Sequence, residues 1–111
     1  MDKTKGSDGF IYVVQMNIPA EHEERFNTLY DTEHLPRIVA VPGVRKCTRF
    51  KLEQTSNDGV PTYLAIYEVD APEVVGGPQW KEASDFGEWL ATVRPFTKDK
   101  IRSIYRPREL W

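Results

Sequence analysis

An α+β domain of order βαββαβ, with one four-stranded antiparallel sheet and helices on one of its faces, is what this sequence predicts. Three observations lead there. Four short segments are rich in β-branched and aromatic residues, two stretches of helical periodicity follow the first and third of them, and a dense turn signal separates the middle two. With 111 residues and no internal repeat, the chain is expected to form one domain with its own core. Met1 to Gly9 is polar, small and charged, a composition that does not repay the entropy of ordering, so residues 1–9 are expected to be a mobile tail and 10–111 the domain.

The first strand is expected from Phe10 to Ile18, with Phe10, Tyr12, Val14, Met16 and Ile18 on one face and Ile11, Val13, Gln15 and Asn17 on the other. Pro19 suits the first position of a helix, and Glu21, Glu23 and Glu24 follow where the helix dipole favours negative charge. The inward stripe of that helix runs through His22, Phe26, Leu29, Tyr30, Glu33 and His34. Pro36 is expected to stop it at Leu35, leaving Ile38, Val39 and Val41 for a further helical turn before the Pro42-Gly43 turn.

Val44 to Leu52 and Thr62 to Val69 read as two hairpin strands around the loop Thr55-Ser56-Asn57-Asp58-Gly59. Gly77 and Pro78 are expected to open a short helix through Trp80 and Ala83, and Asp85 with Glu88 fits a capping box for a second. Phe86, Leu90 and Val93 share a face of that second helix, with Trp89 at its edge, and Pro95 ends it. The last strand is expected from Ile101 to Arg106, alternating Ile101, Ser103 and Tyr105 with Arg102, Ile104 and Arg106. This order is the split βαβ arrangement of ferredoxin-like folds. Because the first and third strands are apolar on both faces, the face without helices needs a cover, and a second copy of the chain is the expected one.

Composition excludes several classes of function. A net charge of −2 without a long basic stripe argues against nucleic acid as a partner. No run approaches the roughly 18 to 20 apolar residues of a membrane span, and the first eight residues lack a signal-peptide core, so no membrane partner and a cytoplasmic location are expected. Cys47 is the lone cysteine and reads as a small strand residue. His22 and His34 lie twelve positions apart, about 18 Å along one helix, so they do not share a metal within a subunit. No metal site and no cofactor are expected, and the chain carries neither a Gly-rich phosphate loop nor a nucleophile elbow.

Tyr30-Asp31-Thr32-Glu33-His34-Leu35-Pro36, followed by Val41-Pro42-Gly43-Val44, resembles the end of the first helix in EthD-like members of the dimeric α/β-barrel superfamily. The likeness extends through the tryptophan-bearing second helix to Tyr105. It implies a homodimer with its sheets packed face to face and a pocket in each subunit between sheet and helices. The wider superfamily includes polyketide cyclases, quinone-forming monooxygenases, muconolactone isomerases and haem-degrading oxygenases, so the resemblance implies fold more sharply than reaction.

His34 is the leading candidate for chemistry, because imidazole exchanges a proton near neutral pH and the stripe directs it towards the sheet. A histidine that caps the helix end is the plainer alternative. Tyr30, four residues earlier on the same face, places a hydroxyl beside it, either for a substrate oxygen or simply as a core aromatic. Tyr12, Phe26, Tyr63, Trp80, Phe86, Trp89 and Tyr105 are the expected walls of a pocket for a flat ring compound, or else core and interface aromatics. Glu33 is expected at the polar end of the stripe, orienting His34 indirectly or facing solvent. Arg37 is a candidate for a substrate carboxylate or phenolate, or a solvated surface arginine.

These residues point to a small cofactor-independent enzyme of isomerase, cyclase or lyase type, with His34 as general acid/base, acting on a cyclic, aromatic or polyketide-like metabolite. A non-catalytic binding protein for a hydrophobic metabolite is the alternative, and a cofactor-free or haem-dependent monooxygenase is the third.

Overall fold

The computed structural model describes residues 9–108. The expected tail, apart from Gly9, lies outside the described residues. Strand β1 spans Phe10–Asn17, β2 Val44–Lys51, β3 Tyr63–Val69 and β4 Lys98–Tyr105. They form one antiparallel sheet in the order β2-β3-β1-β4, which is the ferredoxin-like order. Helix α1 is Glu23–Leu29, α2 is Leu35–Val39 and α3 is Pro78–Ser84.

Alternation decides which side of the sheet is covered. Tyr12, Val14 and Met16 of β1 and Tyr63, Ala65, Tyr67 and Val69 of β3 are buried beneath the helices. Register places Cys47 opposite Tyr67 and Arg49 opposite Ala65 on that same side, and Arg102 of β4 opposite Val14. Ile11, Val13, Leu64 and Ile66 point the other way and stay only half-buried, while Phe50, Ile101 and Tyr105 on that bare face are 50%, 48% and 55% exposed. An apolar sheet face therefore lacks a cover within the chain.

The first helical stretch differs from the expectation at Pro36. Backbone runs helically from 20 to 39, and Pro36 sits inside α2 rather than ending the helix. Tyr30–His34 is a π-helical turn, closed by the N–H of Leu35 on the carbonyl of Tyr30. Proline has no N–H to donate and its ring crowds the carbonyl four residues back, and a wide turn immediately before it relieves both problems. Pro19 precedes the first turn rather than opening it, with its carbonyl accepting from the N–H of His22 at 2.9 Å.

The region after β3 is broken as expected. A 3₁₀ turn at Pro72–Val74, helix α3, a π turn at Trp89–Val93 and a 3₁₀ turn at Arg94–Phe96 lead into β4. No side-chain cap bond comes from Asp85. Its carboxylate takes Arg94 at 2.6 Å instead, so the expected capping box is not formed.

Gly43 has φ +95°, and a Cβ there would approach Cγ2 of Val74 to 2.6 Å. Its carbonyl accepts from the N–H of Asp70 at 2.8 Å, tying the entry of β2 to the exit of β3. Among the described residues no helix is long and apolar enough to cross a membrane. A Gly43→Ala variant is expected to lose about 1–2 kcal/mol from left-handed strain alone. Its urea midpoint should fall accordingly, and an unchanged midpoint would contradict the turn assignment.

Candidate active site

A cavity of about 410 Å³ lies between the sheet and the helices. Tyr12, Val14 and Met16 of β1 and Tyr67 of β3 form its floor, Tyr30 and His34 enter from the π turn, and Trp80 and Trp89 close it from the second helical region. The π turn matters to this placement. Tyr30 and His34 are four residues apart, and both are buried facing the sheet, 3% and 9% exposed.

The rings pack as a connected set. His34 stacks on Trp89 with centroids 4.3 Å apart and planes 18° apart, and Tyr30 meets both edge-on at 5.0 Å. Trp80 stands edge-on to Tyr12 and Tyr67 at 5.5 and 5.4 Å. Such geometries add roughly 0.5–1.5 kcal/mol per pair beyond the buried area, so the cavity walls are held stiffly.

Polar groups at the floor are few. Tyr30 and Tyr67 share a hydroxyl–hydroxyl hydrogen bond of 2.6 Å. Burial raises both phenol pKa values well above the ordinary range, so both stay protonated. Burial also pushes the Cys47 thiol, which neighbours Tyr67, up to about 11. The thiol is not poised as a nucleophile.

His34 is the exception to this satisfied core. Its Nδ1 and the indole Nε1 of Trp89 are buried without a hydrogen-bond partner among the described residues. Leaving such an atom unpartnered costs about 1–3 kcal/mol, and both atoms are sealed within the ring stack. Burial first, then the nearby positive charges of Arg94 and Arg49, lower the His34 pKa to about 3. The imidazole is neutral across the physiological range and able to accept or donate one bond.

Glu33 does not project into the cavity. Its carboxylate accepts the backbone N–H of Trp89 at 2.6 Å and that of Glu88 at 3.4 Å, capping the second helical region from outside that region. Gly87, at φ +65°, leaves room for it, since a Cβ there would lie 2.5 Å from Glu33 Oε2. Glu33 thereby fixes Trp89, on which His34 stacks.

Several other expected site residues lie elsewhere. Phe26 is fully buried behind the cavity, against Tyr30, Tyr63 and Trp89. Tyr63 sits further along the sheet, where its hydroxyl donates to Glu23 and accepts from Asn27 at 3.1 Å. Arg37 lies over the exposed ring of Phe86, 3.4 Å from its centroid, so these two partner each other outside the cavity. Tyr105 belongs to the bare face of the sheet, because its register partner is Ile11. Alternation put Tyr105 and Arg102 on opposite faces; only the pairing with β1 tells which face meets the helices. Arg49 is drawn under α1, bonded to Asp31 at 2.7 Å and Asn27 at 2.8 Å and 4.3 Å above the Tyr30 ring.

The sequence reading missed Lys81, Arg94, Lys100 and Arg102, all of which line the cavity. The available signal was the two-residue spacing of Lys100, Arg102 and Ile104 on one face of β4. Among the described residues no three His, Cys, Asp or Glu side chains converge in a metal-holding group.

Helices on one face of a sheet of this order, enclosing an aromatic cavity, define a ferredoxin-like domain. An EthD family protein from Bacillus halodurans is similar, at 12% identity over 89% of this chain and 99% of that one, with a TM-score of 0.62. A DABB family protein from Mesorhizobium loti with a ferredoxin-like fold matches at 16% identity over 91% and 98%, TM-score 0.62. A dimeric ferredoxin-like protein from an uncultured marine organism matches at 19% identity over 97% and 96%, TM-score 0.62. Identities this low establish the common fold, into which the EthD-like resemblance of the Glu-His-Leu-Pro segment falls. Residues 9–94 match DUF4286, a domain of unknown function, and the chain belongs to that family. No curated protein matches the chain.

Because the folded pKa of His34 lies below its unfolded value of 6.5, the unfolded chain binds the extra proton first as pH falls. Stability is therefore complete above pH 6.5 and declines towards pH 3. The slope is up to about 1.4 kcal/mol per pH unit. Urea unfolding at pH 6.5 and 5 should show a loss of about 2 kcal/mol attributable to His34. A His34→Gln variant should lack that component; an identical loss in both proteins would refute a buried neutral imidazole.

Proposed function

We propose that this protein is a small enzyme of isomerase, cyclase or lyase type acting on a cyclic, aromatic or polyketide-like metabolite, with His34 as the proton carrier. The observation that carries the reading is His34 itself, a buried neutral imidazole that lines an aromatic cavity and whose Nδ1 has no hydrogen-bond partner among the described residues. A ring seated between Trp80 and Trp89 would bring an activated C–H or O–H to the imidazole. The proton moves to His34, the electron pair stays on the ligand as an enolate, and His34, whose N–H exchanges with solvent, returns a proton to the same or another position. Tyr30 and Tyr67, both protonated, supply a hydrogen bond to the developing oxyanion. The imidazolium formed in this step lies beside the anion it created, which offsets the cost of charging it in a buried site.

The low His34 pKa favours a second reading, a binding protein that holds the same metabolite without turning it over, because the ligand-free imidazole is a weak base. One experiment separates the two. Deuterium exchange at the α-carbon of 2-tetralone in D₂O, followed by NMR, should be accelerated by the wild-type protein. His34→Gln should reduce the acceleration about 100-fold, and Tyr30→Phe by less. Binding of 2-tetralone without accelerated exchange would favour the binding protein, and equal rates in wild type and His34→Gln would remove His34 from the chemistry.

The working unit is proposed to be a homodimer joined through the bare sheet face. Ile11, Val13, Leu64, Ile66 and the exposed Phe50 and Ile101 offer an apolar surface of the kind that stable dimers bury. Sedimentation equilibrium should return twice the chain mass for the wild type and the chain mass for Ile66→Glu. A dimeric Ile66→Glu would place the interface elsewhere.

A further inference from the structure

We propose that the cavity takes its ring ligand as a carboxylate, with the anionic group seated against Lys100 and Arg102 of β4. This rests on the reading of the cavity as the ligand site and adds the ligand's charge. Lys81, Arg94, Lys100 and Arg102 all line the cavity, and Asp85 is the acidic residue that lines it with them. Asp85 is already committed to Arg94 at 2.6 Å. Among the described residues, Lys81, Lys100 and Arg102 have no carboxylate within ion-pair distance.

Lys100 and Arg102 are two residues apart on one strand, so both project to the helix-covered side, about 7 Å from each other. Arg102 lies close enough to the Tyr12 hydroxyl for its charge to counter part of the rise that burial gives that phenol's pKa. Burial and then the charges of Arg102 and Arg94 lower the pKa of the Lys100 ammonium. Lys100 is half-buried and Arg102 exposed, and like charges gathered at this open wall of the cavity repel one another and attract a counter-charge. A bound anion supplies it, and the guanidinium and ammonium donors suit carboxylate oxygens.

The opposite end of the cavity has a different character. His34 is neutral, its Nδ1 lacks a partner, and the Tyr30–Tyr67 pair is uncharged. Between the two ends lie the aromatic faces of Tyr12, Trp80 and Trp89. A ligand complementary to the whole is a flat ring system with an acid group at one edge and a neutral hydrogen-bonding group at the other.

Isothermal titration at pH 7.5 with 2-naphthoate and, as its uncharged counterpart, 2-naphthalenemethanol tests this. Wild type should bind 2-naphthoate at least tenfold more tightly than the alcohol, and that preference should shrink when sodium chloride is raised from 50 to 300 mM. Lys100→Gln and Arg102→Gln should each weaken naphthoate at least fivefold and leave the alcohol unchanged, whereas Arg102→Lys, which keeps the charge, should retain most of the affinity. Equal or tighter binding of the alcohol, or naphthoate affinity indifferent to both glutamine variants, would overturn the anionic ligand while leaving a ring-binding cavity in place. Failure of both probes to bind wild type would overturn the cavity reading and this inference together.

Discussion

The position of the Trp89 indole governs the site, and a carboxylate from another helical segment sets it. Glu33 leaves the π turn after α1 and accepts the N–H groups of Trp89 and Glu88, which satisfies donors at the start of a helical turn that has no side-chain cap of its own. Negative charge at a helix start also meets the dipole favourably. The bond ties together two segments separated by more than fifty residues, and the stack of Trp89 on His34 converts that tie into an orientation of the imidazole. Gly87 is part of the same device, because a side chain on its left-handed backbone would occupy the space of the Glu33 carboxylate.

Around that clamp the aromatic walls are arranged so that the polar tips find partners and the faces line the cavity. The Tyr30–Tyr67 bond joins the π turn to the centre of the sheet. Filling the cavity with more apolar side chains would gain burial, roughly 25 cal/mol per Å². The fold instead keeps an open volume, and two of the residues that line it carry a buried nitrogen with no partner among the described residues. Both features reduce stability, and sites that depart from close packing in this way are where function is to be sought.

Much of the fold was legible because the sequence patterns are local. Alternation in β1 and β3 gave two apolar faces, and spacing of four placed Tyr30 and His34 together. What depended on register or on distant partners was not legible. Tyr105 is an expected pocket wall that lies on the bare face, because alternation shows that neighbours on a strand oppose each other without showing which of them meets the helices. Lys100 lies outside the strand expected from Ile101 and Arg102 carries no face of its own in the alternation; the pairing of Arg102 with Val14 of β1 is what turns it towards the helices. Glu33 and Gly87, far apart in sequence, gave no sign of meeting. Pro36 carried its usual meaning of a helix stop, and the π turn before it, invisible to a 3.6-residue period, overrode that meaning.

The charges near His34 connect these features. Arg94 and Arg49 disfavour the imidazolium from two sides, the first from the turn before β4 and the second from β2 beneath α1. Arg49 has its own carboxylate in Asp31, and Arg94 has Asp85, so neither field is fully expressed. An anion placed among Arg94, Lys100 and Arg102 weakens the positive field further, and with it one of the causes that keep the imidazole neutral. Burial, the larger cause, grows at the same time as a ligand displaces water. Charge and desolvation thus oppose each other at one ring, and a ligand bearing an anion and a flat face changes both at once. The proposed proton-carrier role of His34 depends on how that opposition resolves when the cavity is filled.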